Sequence, residues 1–217
     1  MADEFSLVEN GGARHSESRR PLLMWLADLF WNTPDLALLQ AFPADSVAGC
    51  RSRAGEAAQD LAAAVDACIA QGEGALRDAR IEYTSLFCST ERDAPFPYES
   101  VYATEERLLM RPSLDEVVRA YGRAGFDPLA FGACEPEDHL STQLRFIAFL
   151  DDAGGASPLS AGEAAALRQP FVRNHLLNWI PRFAAEVSSR SPHSLYAAAA
   201  NLTAALLEEE VVGEQIS

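Results

Sequence analysis

The groups in this 217-residue chain from which chemistry could be built are few: four histidines, four cysteines, and 32 carboxylates against 17 arginines and no lysine. An enzyme needs a nucleophile with a base, paired carboxylates, converging metal ligands or a phosphate-cradling loop. No G-x-G-x-x-G, P-loop or H-E-x-x-H sequence occurs. His15 lies in the polar start, and His175 and His193 lie in helical surroundings with no acid nearby in sequence. Only His139 follows acids, in Glu135-Pro136-Glu137-Asp138-His139. Adjacent residues in one helical turn point in different directions, so this cluster is a poor metal site. It reads either as a binding element or as a helix N-terminus whose acids face the positive end of the dipole. Cys50, Cys68, Cys88 and Cys134 lie far apart, without a C-x-x-C pair or histidines at zinc-ligand spacing. The expectation is a reduced, cytoplasmic chain without metal or redox dithiol.

A second constellation suits recognition better than catalysis. Pro95-Phe96-Pro97-Tyr98-Glu99-Ser100-Val101-Tyr102 sets three aromatics among rigid prolines, just after Leu86-Phe87. Rigid aromatic surface loses little entropy on binding an apolar segment, and packing such a loop onto its own core is an equally physical use of it. Both readings stand on the residues alone.

The net charge of -15 and pI near 4.6 argue against tracking nucleic-acid phosphates, which takes clustered Lys and Arg. That field suits basic partners, or serves solubility alone. With 48% hydrophobic residues the chain can bury a sizeable core, and one domain is expected over 18–217 behind a disordered tail over 1–17. Ser18-Arg19-Arg20-Pro21-Leu22-Leu23 looks like the start of a twin-arginine export signal. The apolar run behind it carries Asp28 and offers no small-x-small cleavage site, while Leu22, Leu26, Leu29 and Phe30 share one helical face. A first amphipathic helix is the expectation, and no span of the roughly 20 apolar residues a bilayer requires is present.

The positioning elements follow from periodicity and punctuation. Thr33-Pro34 reads as an N-cap followed by proline at the first helical position, with Pro43 ending that element and a loop to about Arg53. Leu61, Val65, Cys68 and Ile69 mark one helix; Leu76, Ala79, Tyr83, Leu86 and Phe87 mark the next, after Gly72-Glu73-Gly74. Ser113-Leu114-Asp115-Glu116 and Ser160-Ala161-Gly162-Glu163 are capping boxes. Pro136 is expected to open a helix with the buried stripe Leu140, Leu144, Ile147 and Ala148. Val172, Leu176, Trp179, Ile180, Phe183 and Val187 line one face across a kink expected at Pro181. Ser191-Pro192 is expected to cap a last helix carrying Leu195, Ala199, Leu202 and Leu206. No useful stretch alternates as a strand does, so the expectation is an all-α, single compact bundle of about ten helices.

Four segments, in order, resemble the TorD/DmsD/NarJ-like family of cytoplasmic chaperones that mature molybdenum-cofactor oxidoreductases. They are Glu82-Tyr83-x-x-Leu86-Phe87, Pro97-Tyr98-Glu99-Ser100-Val101-Tyr102, Glu135-Pro136-Glu137-Asp138-His139, and Phe171 through Phe183 with His175, Trp179 and Pro181. Cys88-Ser89-Thr90 stands where the family often has Gly-Pro, and Phe96 replaces the first proline of a Pro-Pro-aromatic triplet. The resemblance, preferring the TorD/DmsD branch, implies a TorD-like fold without enzymatic activity or cofactor. It implies binding of the twin-arginine leader and apo catalytic subunit of a DMSO-reductase-family molybdopterin oxidoreductase, which delays export until the cofactor is inserted. The implied leader-contacting residues are Leu86, Phe87, Phe96, Pro97, Tyr98, Ser100, Glu135, Asp138 and His139, with Asp138 and Glu135 receiving leader arginines. Rival readings are a NarJ-like adaptor for a redox subunit that is not exported, and a protein that weakly binds or hydrolyses GTP. The family also permits a monomer or a domain-swapped dimer, for which the loop 151–158 is the expected hinge.

Overall fold

Helical periodicity becomes helix almost throughout the computed structural model, which describes residues 6–48, 50, 52–105, 107, 112–132 and 136–214. The α-helices are α1 (Ser6–Trp31), α2 (Leu36–Gln40), α3 (Ala44–Ala48), α4 (Ser52–Gln71), α5 (Glu73–Phe87) and α6 (Glu99–Ala103). They continue as α7 (Pro112–Ala124), α8 (Leu140–Leu150), α9 (Ala161–Phe171), α10 (Leu177–Arg190) and α11 (Leu195–Glu214). A 3-10 turn, Leu129–Phe131, precedes α8, and a π-helical stretch, Val172–Leu176, joins α9 to α10 without a break. Among the described residues the only β-type pairings are two isolated bridges, Tyr98 with His139 and Ala153 with Ser157. The fold is all-α, as the periodicity predicts.

Helix α8 is the axle. Every residue from Leu140 to Leu150 is buried, polar ones included, so this helix has no solvent face. Helix α1 packs along it, while α11 lies between α4 and α10. An apolar helix of this kind survives only when surrounded, and here aromatic layers enclose it. One layer links Phe30, Phe87, Phe183 and Tyr196; another links Tyr121, Phe126, Phe146, Phe149 and Phe171. Each such side chain contributes about 1.5–3 kcal/mol on burial, so these rings dominate the packing energy. Beside them, Arg145 of α8 reaches out to pair with Asp28 of α1.

Buried stripes are read correctly from sequence, and helix starts less so. The Ser160 box forms as predicted: Ser160 Oγ accepts from Glu163 N at 3.4 Å while the Glu163 carboxylate accepts from Ser160 N at 2.9 Å. Ser113, by contrast, lies inside α7, and its Oγ is buried without a partner. Asp35, and not Thr33, caps α2, accepting from Leu38 N at 2.7 Å. The loop expected up to Arg53 contains α3. Ser194, and not Ser191, accepts from Ala197 N at 3.1 Å at the start of α11. The irregularity expected at Pro181 is the π-helical stretch ahead of it; Pro181 itself lies within α10.

Helix α1 starts at Ser6, upstream of the Ser18 start that periodicity marks. Its Arg19 and Arg20 are tied to the body, Arg19 to Glu209 of α11 at 3.5 Å and Arg20 to Asp152 at 3.0 Å. Asp152 also closes the segment 151–158 into a tight turn, its carboxylate accepting from Ala156 N at 3.0 Å and its carbonyl from Ser157 N at 3.2 Å. Gly154 there has φ 84°, a left-handed conformation that a side chain disfavours.

The two serines give a paired test. Ser160→Ala is expected to lower unfolding free energy by about 1 kcal/mol in urea titrations, because it strands a backbone donor. Ser113→Ala is expected to change it by less than about 0.5 kcal/mol, because its hydroxyl has no partner to lose.

Candidate functional site

The loop between α5 and α6 owes its shape to its prolines. Phe96 N donates to Ala94 O at 2.8 Å and Tyr98 N to Phe96 O at 2.9 Å, closing two successive three-residue turns centred on Pro95 and Pro97. Proline's fixed φ fits that central position, and its missing N–H is not required there. The chain then runs antiparallel to the segment entering α8. Leu140 N donates to Pro97 O at 2.8 Å and Glu99 N donates to Asp138 O at 3.1 Å. The proline-aromatic loop and the acidic-histidine segment are therefore stitched into a single clamp.

Each residue of the Asp138-His139 pair caps a different helix. Asp138 is fully buried, and its Oδ2 accepts from Ser100 N at 2.8 Å, so it caps α6 from across the clamp while Tyr98, at the N-cap position, contributes no side-chain bond. His139 caps α8, its Nδ1 accepting from Ser141 N at 3.1 Å. Sequence places Pro136 at the start of that helix and Glu137 and Asp138 in its first turn; α8 instead begins at Leu140, and the acids precede it. The imidazole is wedged between the edges of Trp31 and Tyr98, each ring centroid 4.8 Å away. Burial pushes its pKa down from the ordinary 6.5 to about 3, which agrees with an Nδ1 that must stay unprotonated to accept.

A second buried network ties the clamp to the π-helical stretch and α10. Glu99, only 6% exposed, has its Oε2 2.5 Å from Gln143 Nε2 and its Oε1 2.9 Å from His175 Nδ1. Gln143 Oε1 in turn accepts from Trp179 Nε1 at 3.3 Å. His175, which lacks acidic neighbours in sequence, thus gains one through the fold. Arg107 adds an outer clip: it is bidentate to Glu186 at 2.8 and 2.9 Å, and its Nη2 also donates to Ala94 O at 2.9 Å. Arg107 and Arg182 lie over the Tyr102 ring, at 4.9 and 5.5 Å.

The residues implied as a binding surface divide by exposure. Phe96 and Tyr98 are half-buried and reach the surface. Leu86 and Phe87 are core residues, Phe87 touching Phe30, Tyr83, Phe183 and Tyr196. Pro97, Ser100, Asp138 and His139 are buried within the clamp. Asp138 has no exposed surface, so an arginine from outside would reach its carboxylate only if the clamp opened. Glu135 lies outside the described residues. Sequence reasoning missed Glu99, Gln143 and the Arg107–Glu186 clip; only Glu99 carried any signal, as a charge inside an otherwise apolar motif. Among the described residues no group of His, Cys, Asp and Glu is placed to hold a metal ion, and no helix is long and apolar enough to cross a membrane.

A bundle wound about one buried helix, with a proline loop clamped to an acidic-histidine segment, is the setting in which comparison with known proteins becomes informative. The family described as nitrate reductase delta subunit matches residues 50–185, and the chain belongs to it, within the TorD/NarJ-like group that the motifs resemble. The chain is 34% identical over 142 residues to "Chaperone protein TorD" of Vibrio cholerae serotype O1 (strain M66-2), covering 62% of this chain and 63% of that one. It is 32% identical over 142 residues to the protein so named in Photobacterium profundum, covering 63% of each. It is 29% identical over 135 residues to that of Escherichia coli O8 (strain IAI1), covering 60% of this chain and 63% of the relative. The match thus spans less than two thirds of the relatives' own length. All three are named as chaperones, a role without chemical turnover.

Two substitutions test the clamp. Asp138→Ala leaves the Ser100 N–H buried without an acceptor and is expected to cost about 1–3 kcal/mol in urea unfolding. For His139 the folded pKa lies below the unfolded one, so its contribution is intact above pH 6.5 and is lost as pH falls toward 3. Over that window stability is expected to fall by up to about 1.4 kcal/mol per pH unit from this residue. His139→Asn, which can still cap, should flatten the slope of stability against pH; an unchanged slope would place the titrating group elsewhere.

Proposed function

We propose that this chain is a non-catalytic maturation chaperone. It holds the twin-arginine leader and the apo form of a molybdopterin-oxidoreductase catalytic subunit in the cytoplasm, and so delays export until the cofactor is in place. Membership of the family, with relatives named as chaperones, supports the class of activity. The observation that carries the rest is the placement of Phe96 and Tyr98, two half-exposed aromatics on a backbone fixed by Pro95, Pro97 and the clamp. An apolar surface that is already rigid loses little entropy when a flexible peptide settles on it.

Relative magnitudes set the expected behaviour. Burying a leader leucine contributes about 1.5–3 kcal/mol, whereas an exposed ion pair contributes about 0–1 kcal/mol. Apolar contact therefore governs affinity, and the acidic surface chiefly speeds encounter with a basic leader. Ordering the leader takes back several kcal/mol, leaving a complex of about micromolar Kd, near -8 kcal/mol.

The family's description as nitrate reductase delta subunit motivates a second reading, in which the chain assembles a redox subunit that is not exported. Pull-down with a client catalytic subunit carrying its leader, and with the leader deleted, separates the two: leader-dependent capture supports the first and leader-independent capture the second. For the first, titration of a fluorescently labelled leader is expected to give a micromolar Kd that changes only a few-fold between low and high salt. Joint Phe96→Ala and Tyr98→Ala substitution should weaken it about tenfold or more. A loss of orders of magnitude with salt, or indifference to the double substitution, would show that the aromatic rim is not the binding surface.

A further inference from the structure

A cavity of about 330 Å³ opens between α7 and the α9–π junction, on residues the clamp does not use apart from His175. One wall is apolar: Leu167, Pro170 and Phe171, with the His175 ring at 4.9 Å and 34° to the Phe171 ring. The Glu99 carboxylate holds His175 Nδ1 from behind, so this wall is fixed before anything enters. Asn174 and His175, which line the cavity, sit on the π-helical stretch, a rare helical form frequently seen at functional sites. The opposite rim carries Arg119 and Arg123, one turn apart on α7 and hence on one face.

In a chain of net charge -15, two arginines at the mouth of one cavity are a local concentration of positive charge, offset in part by Glu116 on the same rim. Arg119 meets Glu116 only at 3.9 Å, with both side chains about two-thirds exposed, a pair of little worth. Arg123 has no carboxylate within ion-pair distance among the described residues. We infer that this cavity is a binding site for a small organic carboxylate with a ring-sized apolar body: the body against Phe171, Leu167 and Pro170, the carboxylate on Arg123 and Arg119. The volume is at the low end for ligand pockets and suits one ring with a short acidic arm. Guanidinium forks match a carboxylate in charge-assisted pairs, and Glu116 at the same rim opposes the anion.

The inference is independent of the chaperone reading, and its test uses the full-length protein without any client. Phenylacetate and its neutral isostere phenylacetamide are titrated by calorimetry, with the His175 ring protons followed by NMR. Phenylacetate is expected to bind at least about tenfold more tightly than the amide and to shift the His175 signals. Arg123→Glu should weaken it about tenfold or more and Glu116→Gln should tighten it, opposite effects from two exposed residues whose replacement leaves the core intact. The inference is overturned if acid and amide bind alike, if either substitution moves affinity the other way, or if the His175 signals stay still. Binding of a blocked acetyl-Asp-Phe-amide peptide without binding of phenylacetate also overturns it, assigning the cavity to a polypeptide segment instead.

Discussion

The carboxylate of Asp138 lies wholly inside the protein and accepts the backbone N–H of Ser100, and three chain segments take their positions from that bond. It starts α6, it fixes the strand-like approach of 97–99 to 138–140, and it sets where His139 must stand to begin α8. A buried acceptor of this kind is costly unless it is paired, and pairing it with a backbone donor of another segment makes the two loops mutually dependent. The aromatic rim is held by these backbone-directed bonds, although Asp138 Oδ1 and the Ser100 hydroxyl beneath it are buried without a partner.

Glu99 extends that logic into the bundle. One carboxylate touches Gln143 on the central helix and His175 on the π-helical stretch, so the axle, the clamp and the α9–α10 run meet at a single residue. The Arg107–Glu186 clip ties the same loop to α10 on its outer side. The loop is thereby tied from within and from without, and the surface it presents does not depend on loop flexibility.

Much of the fold was legible because burial writes a period into the sequence. Leu140, Leu144, Ile147 and Ala148 of α8, and Val172, Leu176, Trp179, Ile180, Phe183 and Val187 of the α9–α10 run, are buried as their spacing predicts. Helix starts were harder: around residues 33–35, 136–139 and 191–194 several residues able to cap stand within a turn of one another, and only tertiary packing selects among them. The site was legible as motifs, but the burial of several of its members was not. That Leu86 and Phe87 lie in the core could not be read, because hydrophobic surface and hydrophobic core have the same composition. That Asp138 is buried and bonded to Ser100 could not be read either, because nothing local reveals that its partner lies on another segment. The Glu99–His175 pair is separated by 76 residues, which no period or cap could bring together on paper.

The wedging of His139 between Trp31 and Tyr98 also gives the molecule an optical signature. Of its three indoles, Trp25 and Trp179 are sealed in the core, whereas Trp31 is half-exposed with its ring edge-on to the imidazole. Emission from Trp31 therefore reports on the outer edge of the clamp, while Trp179, whose Nε1 donates to Gln143 in the network beneath and whose ring stacks on Tyr102, reports on its interior.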